Sequence, residues 1–86
     1  MAFYHVEIAR SASKDLRGID RKWIPRIVEV IEALGLEPRP SGCKKLMGSD
    51  HTYRIRIGDY RVVYEIHDDT LIILIVRVRH RRDVYR

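Results

Sequence analysis

Arginine is concentrated in a segment that has the pattern of a β-hairpin, TYRIRIGDYRVVYEI, at residues 52–66. The Gly-Asp pair in its middle suits a two-residue turn, so we predict that Arg56 and Arg61 face each other across two antiparallel strands, with Arg54 on the same side. Like charges directly opposite each other destabilise a sheet by up to about 1 kcal/mol. A bound anion would offset this cost, because a guanidinium donates two parallel hydrogen bonds to phosphate or carboxylate oxygens. The alternative is that the arginine stems only shield the sheet while their charged heads stay in water.

A second concentration of arginine lies at the C-terminus. The last ten residues, RVRHRRDVYR at 77–86, contain five arginines and one histidine. The formal net charge of the chain is only +5, but eight of its thirteen arginines follow residue 50. This asymmetry predicts a polyanionic or acidic partner for the C-terminal half. Charge alone does not distinguish a nucleic acid from an acidic protein.

The N-terminal segment is predicted to form a strand and a short helix. Polar and apolar residues alternate over 3–8, which is typical of a half-buried strand. Ser11 or Ser13 is expected to cap a helix that reaches about Ile19, because a serine hydroxyl can accept a hydrogen bond from a free N–H of the first turn.

A second helix is predicted over 24–34. Apolar residues there recur at spacings of three and four, which places them on one helical stripe. Asp20 offers a cap before it, Pro25 belongs in its first turn, and Gly35 is suited to closing it.

The rest of the chain is predicted to be a meander of strands. A short strand or extended segment lies within CKKLMG, and turn-forming residues at GD and HDDT separate three longer strands. These strands are predicted at 52–57, 60–67 and 70–78. The order of strand, helices and strands predicts an α+β fold, with an antiparallel meander and helices packed on one face of the sheet.

Side-chain alternation divides the predicted sheet into a helix-packed face and an open face. The helix-packed face is predicted to contain Tyr53, Ile55, Ile57, Val62, Tyr64 and Ile66. The open face is predicted to contain Arg54, Arg56, Arg61, Val63 and Glu65. Pairing of Ile66 with Leu71 across the HDDT turn would add Ile72, Leu74, Val76, Val78 and His80 to it. Because the open face then combines cations with an aliphatic band, it is the predicted functional surface.

Length and composition predict one domain over residues 1–86, with 45% apolar residues. The longest apolar run, LIILIV at 71–76, is shorter than the roughly 20 residues that span a bilayer, and the N-terminus does not resemble a signal peptide. Cys43 is the one cysteine and has no disulfide partner in the chain. Asp68 and Asp69 are turn residues without further spaced oxygen ligands. We therefore expect a cytoplasmic protein with no metal, no cofactor and no membrane contact.

The segment YRIRIGDYRVVYEI, the acidic turn after it and the tail LIILIVRVRHRRDVYR resemble the RelE/ParE superfamily of bacterial and archaeal type II toxins. A P-x-G-x-KKL-x-G pattern at 40–48 extends the resemblance, which covers nearly the whole chain. It implies a fold similar to that of microbial ribonucleases. RelE-type members enter the ribosomal A site and cut messenger RNA there without a metal, whereas ParE-type members inhibit DNA gyrase. Both are held inactive by an antitoxin, and the pair often represses its own operon.

The resemblance implies catalytic roles for five residues of this chain: Arg54, Arg56, Arg61, Arg81 and Tyr85. Arg61 and Arg81 would clamp the phosphoryl charge, Arg54 and Arg56 would orient the RNA backbone, and Tyr85 would stack on a base or orient the 2′-hydroxyl. The best-known RelE members have lysines at the positions of Arg54 and Arg56. An arginine keeps its proton at physiological pH, so Arg56 is a poor general base.

We also predict that His80 is catalytic. This prediction comes from its side-chain type and not from the resemblance, because an imidazole can move a proton near neutral pH. The remaining basic residues are predicted to bind RNA: Lys44, Lys45, Arg79 and Arg82.

The sequence therefore predicts a type II toxin that cuts messenger RNA in the 30S A site of the ribosome, by attack of a 2′-hydroxyl on the phosphodiester. Its expected partners are a RelB-like antitoxin, the ribosome with its message, and operator DNA only through the antitoxin complex. One alternative is a ParE-like gyrase inhibitor without nuclease activity. Another is a non-catalytic regulatory module, although no helix-turn-helix spacing supports it.

Overall fold

A computed structural model describes residues 3–84, in which helices cover one face of a five-stranded sheet. The elements are β1 (His5–Ile8), α1 (Arg10–Arg17), a 3₁₀ turn (Arg21–Trp23), α2 (Ile24–Ala33), β2 (Lys44–Lys45), β3 (Thr52–Ile57), β4 (Tyr60–His67), β5 (Ile72–His80) and α3 (Arg81–Val84). The strand order is β1-β5-β4-β3-β2, with β1 parallel to β5 and the other pairs antiparallel. The predicted α+β class and the helix-covered meander are confirmed.

The start of α1 differs from the prediction. The helix begins at Arg10, after Ala9, whose side chain makes no capping hydrogen bond. The prediction that Ser11 or Ser13 caps this helix is therefore wrong. The Ser11 hydroxyl instead donates to the carbonyl oxygen of Val76 at 2.7 Å. The strand β1 has ended at this point, so the edge of β5 takes its hydrogen bond from the helix that follows β1.

The second helical segment agrees with the sequence pattern. The Asp20 carboxylate accepts a hydrogen bond from the backbone N–H of Lys22 at 3.1 Å, and this caps the 3₁₀ turn. The helix α2 runs from Ile24, with Pro25 in its first turn. Gly35 follows as predicted, but its role is close packing: a Cβ there would lie 3.0 Å from the carbonyl oxygen of Tyr4.

The core lies between the two main helices and one face of the sheet. Its fully buried members include Ile27, Leu34, Val62 and Tyr64. The predicted helix-packed residues of β3 and β4 are all buried in this core or packed against it. Burying an isoleucine or leucine stabilises the fold by roughly 1.5–3 kcal/mol. The side chains of this face are therefore needed for stability and are not accessible to a ligand.

The first hairpin has the predicted register. Ile57 pairs with Tyr60, and Arg56 pairs with Arg61. Gly58 occupies the turn with φ 58°, a left-handed conformation that favours glycine. Its missing side chain is also required by packing, because a Cβ would lie 2.4 Å from Cη2 of Trp23.

The second turn lies one residue later in the chain than predicted. Ile66 pairs with Ile73, and His67 pairs with Ile72, so the predicted pairing of Ile66 with Leu71 is wrong. Leu71 lies inside the turn with φ 56°. The strand β5 accordingly begins at Ile72 and continues to His80, two residues later at each end than predicted.

A register shift in β5 then changes which side chains share the open face. Val63 pairs with Arg77, whereas the next residue of β4 pairs with Ile75, so Val76 is an extra residue in a β-bulge. Past the bulge, the side chains change faces relative to a regular strand.

Val78 and His80 are therefore not on the open face as predicted. Val78 is buried opposite Val62, and His80 lies opposite Tyr60 on the helix-packed side. Their places on the open face are taken by Arg77 and Arg79. Within the described residues, no helix combines the length and apolarity needed to cross a membrane.

Candidate functional site

A row of three arginines crosses the open face next to the hairpin turn. Arg56 of β3 pairs with Arg61 of β4, which pairs with Arg79 of β5. Residues directly opposite each other share a face, and neighbouring strands are about 4.8 Å apart. The three Cα positions therefore span about 10 Å. We call Arg56, Arg61 and Arg79 the arginine row.

A second row lies beside it, one pair further from the turn. Lys44 of β2 pairs with Arg54, Arg54 pairs with Val63, and Val63 pairs with Arg77. Lys45 does not join this row, because it pairs with Tyr53, whose ring packs against the core. Of the two predicted RNA-binding lysines, only Lys44 is thus in register with the arginines.

The two rows enclose a small cavity of about 170 Å³, which we call the hairpin pocket. It is lined by Gly42, Lys44, Arg54, Ile55, Arg56 and Arg61. A cavity needs about 10–15 Å³ of this kind of volume to hold one water, so the hairpin pocket has room for a group larger than a single water. Four of its lining residues are cationic, which suits a phosphate group.

Backbone carbonyls at the hairpin turn hold two of the predicted site residues. The Arg56 side chain donates through Nε to the carbonyl oxygen of Gly58 at 3.1 Å. The backbone N–H of Arg81 donates to the carbonyl oxygen of Asp59 at 2.6 Å. Both contacts position basic residues around the turn without using an acidic side chain.

The tail side chain that lies beside Arg61 on the open face belongs to Arg79 rather than to Arg81. Arg79 is the direct cross-strand neighbour of Arg61. Arg81 begins α3 and is tied to the turn by its backbone. Tyr85, predicted to be catalytic, lies outside the described residues.

A larger cleft of about 1150 Å³ lies between α1 and the C-terminal end of β5. We call it the α1–β5 cleft. Three predicted site residues line it: Arg79, His80 and Arg82. Arg10 and Lys14 also line it and were missed by the sequence reasoning. Their spacing of four on a helix that follows β1 is a signal that places them on one face.

The opposite end of the sheet carries paired charges, and we call it the paired end. The Asp68 carboxylate accepts hydrogen bonds from the Arg39 guanidinium at 2.8 Å and from the Tyr4 hydroxyl at 2.6 Å. These two bonds, with that from Arg39 the stronger cause, lower the pKa of Asp68. The same contact with Asp68 raises the pKa of Tyr4. Glu65 and His67 form a further pair, at 2.9 Å between Oε1 and Nε2.

A buried tyrosine fixes the loop that leads to β2. Burial raises the pKa of Tyr64, and its hydroxyl donates to the carbonyl oxygen of Pro38 at 2.8 Å. Arg39 continues this anchor by donating to the Tyr53 hydroxyl at 3.2 Å. The loop that supplies Gly42 and Lys44 to the hairpin pocket is thus held by the paired end.

Within residues 3–84, no three His, Cys, Asp or Glu side chains lie close enough together to hold a metal ion. Apart from Asp15 and the titratable His80 and Tyr60, the ionisable side chains that line the two cavities are guanidinium and ammonium groups. The chemistry available to these groups is recognition of anions and stabilisation of negative charge.

A family model and a curated relative that match this chain both describe toxins. The family described as the ParE toxin of the type II toxin-antitoxin system parDE matches residues 6–85. Toxin RelE3 of Methanocaldococcus jannaschii is 36% identical to this chain, over 93% of each sequence.

Two solved structures share the fold along nearly the whole chain. One is the archaeal RelE–RelB complex from Pyrococcus horikoshii, with 31% identity, a TM-score of 0.81, and coverage of 92% of this chain and 96% of that one. The other is the RelBE2 toxin–antitoxin complex from Mycobacterium tuberculosis, with 31% identity, a TM-score of 0.82 and coverage of 94% of both chains.

Proposed function

Since the chain belongs to the RelE/ParE superfamily of type II toxins, we propose that it acts as a ribosome-dependent endoribonuclease that cuts messenger RNA in the 30S A site. The observation that carries this proposal is the arginine row, in which Arg56, Arg61 and Arg79 are neighbours across three strands. A merely structural sheet face would gain nothing from adjacent like charges.

The reaction is attack of a ribose 2′-hydroxyl on the adjacent phosphate, with departure of the 5′ oxygen of the next nucleotide. Negative charge builds up on the phosphoryl oxygens in the transition state, and preorganised guanidinium groups stabilise it there. Arg61 and Arg79 form the charge clamp in this proposal. The cross-strand register supports Arg79 in the clamp in place of Arg81, which holds the tail to the turn.

Arg54 and Arg56 orient the RNA backbone at the hairpin pocket. The bond from Arg56 to the Gly58 carbonyl keeps that guanidinium beside the turn, where it also favours ionisation of the attacking hydroxyl through its charge. As arginines keep their protons, the general base must be another group. Tyr85 retains its proposed role of stacking on a base or orienting the 2′-hydroxyl.

His80 is the proposed proton carrier, and its position in the fold sharpens the test. It lies opposite Tyr60 and not opposite Arg61. If His80 is the base, His80→Ala changes the shape of the pH–rate profile for ribosome-dependent cleavage. If it only lines the α1–β5 cleft, the profile keeps its shape and KM rises.

In this proposal the ribosome positions the codon that is cut. The hairpin pocket has room for a phosphate group and is lined by cations, which recognise a backbone and do not read bases. The codon must then be positioned by the ribosome. Lys44, Arg79 and Arg82 provide contacts with the RNA at the site, Lys45 can reach only RNA outside the arginine row, and these contacts weaken as salt is raised. The toxin accordingly acts in the cytoplasm.

We further propose a RelB-like antitoxin as the regulatory partner, since both solved relatives described above are complexes with an antitoxin. The open face offers half-buried aliphatic side chains at Ile72, Leu74 and Val76 beside the arginines. A segment with apolar and acidic residues would cover both. Operator DNA is bound through the complex in this proposal.

The proposal is tested by inducing the toxin in cells and mapping the 5′ ends of messages, with Arg61→Ala as the matched control. New 5′ ends confined to translated frames, and absent with the variant, support the nuclease. The family description also names ParE toxins, which makes gyrase inhibition the second candidate. Intact messages with arrested replication would favour that candidate and overturn the nuclease.

A further inference from the structure

The two walls of the α1–β5 cleft are fixed to each other by hydrogen bonds. The Ser11 hydroxyl donates to the Val76 carbonyl oxygen at 2.7 Å. The Asp15 carboxylate accepts a hydrogen bond from the backbone N–H of Val78 at 2.9 Å and pairs with the Arg77 guanidinium at 3.0 Å. Because α1 is bonded to the edge of β5 at these points, the cleft is a preformed feature of the fold.

The charge that remains in this cleft is positive. Asp15 is neutralised by Arg77, and its side chain is only 16% exposed. The other charged residues that line the cleft are Arg10, Lys14, Arg79 and Arg82. Within the part of the chain that the structure describes, no hydrogen bond or ion pair engages the side chains of Arg10, Lys14 and Arg79. These cations are therefore available to a ligand.

The lining of the cleft combines these cations with apolar groups. Of the apolar residues in the lining, Ile19 is partly exposed, whereas Tyr60 and Val78 are buried beneath the cleft surface. The His80 ring contacts the Tyr60 ring edge-on, with 5.1 Å between centroids. Single-stranded nucleic acid is commonly bound by this combination, in which cations follow the phosphates and rings or aliphatic groups contact the sugars and bases.

Arg79 connects the cleft to the arginine row. It pairs with Arg61 in the sheet and also lines the cleft. One strand of RNA can therefore pass from the hairpin pocket across Arg61 to Arg79 and on into the cleft. An acidic peptide could also meet the cations, but the continuity with the proposed catalytic row favours RNA.

We propose that the α1–β5 cleft binds the stretch of single-stranded RNA that flanks the cut, with Arg10 and Lys14 as phosphate contacts. The proposal rests on the proposed function for the identity of the scissile phosphate. The binding of RNA in the cleft can be measured independently of cleavage.

The experiment measures binding of a fluorescent 2′-O-methyl RNA decamer by anisotropy, over a series of salt concentrations. This probe cannot be cleaved by 2′-hydroxyl attack. The double variant Arg10→Gln/Lys14→Gln removes two cations of the cleft, both exposed. The control Arg21→Gln/Arg26→Gln removes two exposed cations outside the cleft, so both variants have the same net charge.

The cleft variant is expected to bind about tenfold more weakly at 50 mM salt, and its slope of log K against log salt is expected to fall by about 1.4, which corresponds to two lost phosphate contacts. The control should retain nearly all of the wild-type slope. Thermal melting of both variants should match the wild type, because the substituted side chains are on the surface.

Equal effects of the two variants, or no change in the cleft variant, would overturn the proposal. Binding of an acidic peptide at the cleft together with unchanged RNA binding would also overturn it. Failure of the proposed function has a different signature: the wild type then leaves messages intact on ribosomes, while the anisotropy difference between the two variants persists.

Discussion

The two ends of the sheet use charged residues in opposite ways. At the paired end, Arg39 bonds to Asp68 at 2.8 Å, and Glu65 bonds to His67 at 2.9 Å. At the hairpin end, Arg56, Arg61 and Arg79 stand side by side across three strands. Acid–base pairs thus lie at one end of the sheet, and a row of neighbouring arginines lies at the other.

This difference separates residues that stabilise the fold from residues that can serve a ligand. The bonds of Asp68 to Tyr4 and Arg39 connect the turn after β4 with the residue before β1 and with the loop before β2, so they help to hold the N-terminal strand and that loop in place. Adjacent cations instead cost stability when no anion is bound. Substitutions at the two ends should therefore affect different properties.

The largest effect on activity is expected for Arg61→Ala. Removing a donor that stabilises transition-state charge typically lowers kcat by about 10²–10³-fold, and we expect a loss of this size in cleavage on programmed ribosomes. Arg61→Lys should recover only part of the rate, because an ammonium group lacks the paired donors of a guanidinium. Glu65→Gln, on the same strand at the paired end, is the control and should cleave at nearly the wild-type rate.

The next effect distinguishes the two tail arginines. Arg79→Ala is expected to lower the cleavage rate by about 10- to 100-fold, the equivalent of a charge-assisted hydrogen bond of about 1.5–3 kcal/mol. Arg81→Ala should have a smaller effect, since its visible contact is made by the backbone N–H. A lower cleavage rate for Arg81→Ala than for Arg79→Ala would indicate that Arg81, and not Arg79, stabilises the phosphoryl charge together with Arg61.

A stability measurement tests how the hairpin turn is held. Gly58→Ala is expected to lower the free energy of unfolding by about 2 kcal/mol or more, because it combines a left-handed φ with a Cβ placed 2.4 Å from the Trp23 ring. Gly48→Ala is the matched control: its φ is 81°, but a Cβ there meets nothing within 4 Å. Denaturant unfolding that gives equal losses for the two variants would contradict the role of Trp23.

The smallest effect is expected at Asp68. Asp68→Asn removes the carboxylate that bonds to Arg39 and Tyr4, so its Tm at neutral pH should fall slightly while cleavage is unchanged. The pKa of Asp68 is lowered in the folded state, and the ionised carboxylate therefore stabilises the fold above its unfolded pKa near 3.8. That contribution is lost as the pH falls through the lower folded value. The Tm difference between variant and wild type should thus disappear in acid, and a difference that persists there would contradict the pairing.

Sequence reasoning succeeded where local patterns determine structure. The bounds of β3 and β4, the register of their turn and the pairing of Arg56 with Arg61 follow from strict alternation around a Gly-Asp turn. Asp20 was predicted as a cap for the same reason, since its side chain reaches an N–H two residues away.

The features that were missed depend on contacts between distant segments. The bulge at Val76 lies in LIILIVRV, a run whose alternation is too weak to reveal an extra residue, so Val78 and His80 were assigned to the wrong face. Ser11 was assigned as a helix cap because its bond to Val76, 65 residues away, has no local signal. Arg10 and Lys14 were overlooked because their importance depends on the position of α1 against β5.

The central proposal concerns a 2′-hydroxyl that attacks a phosphate held by the arginine row. The most direct measurement is cleavage of a message on programmed ribosomes by purified toxin, with a single 2′-deoxy nucleotide placed at the mapped cut. We expect cleavage of the unmodified message, with a 2′,3′-cyclic phosphate at the new end, and no cleavage at the deoxy position. Cleavage that persists there, or a message that stays intact in both forms, would contradict the proposal.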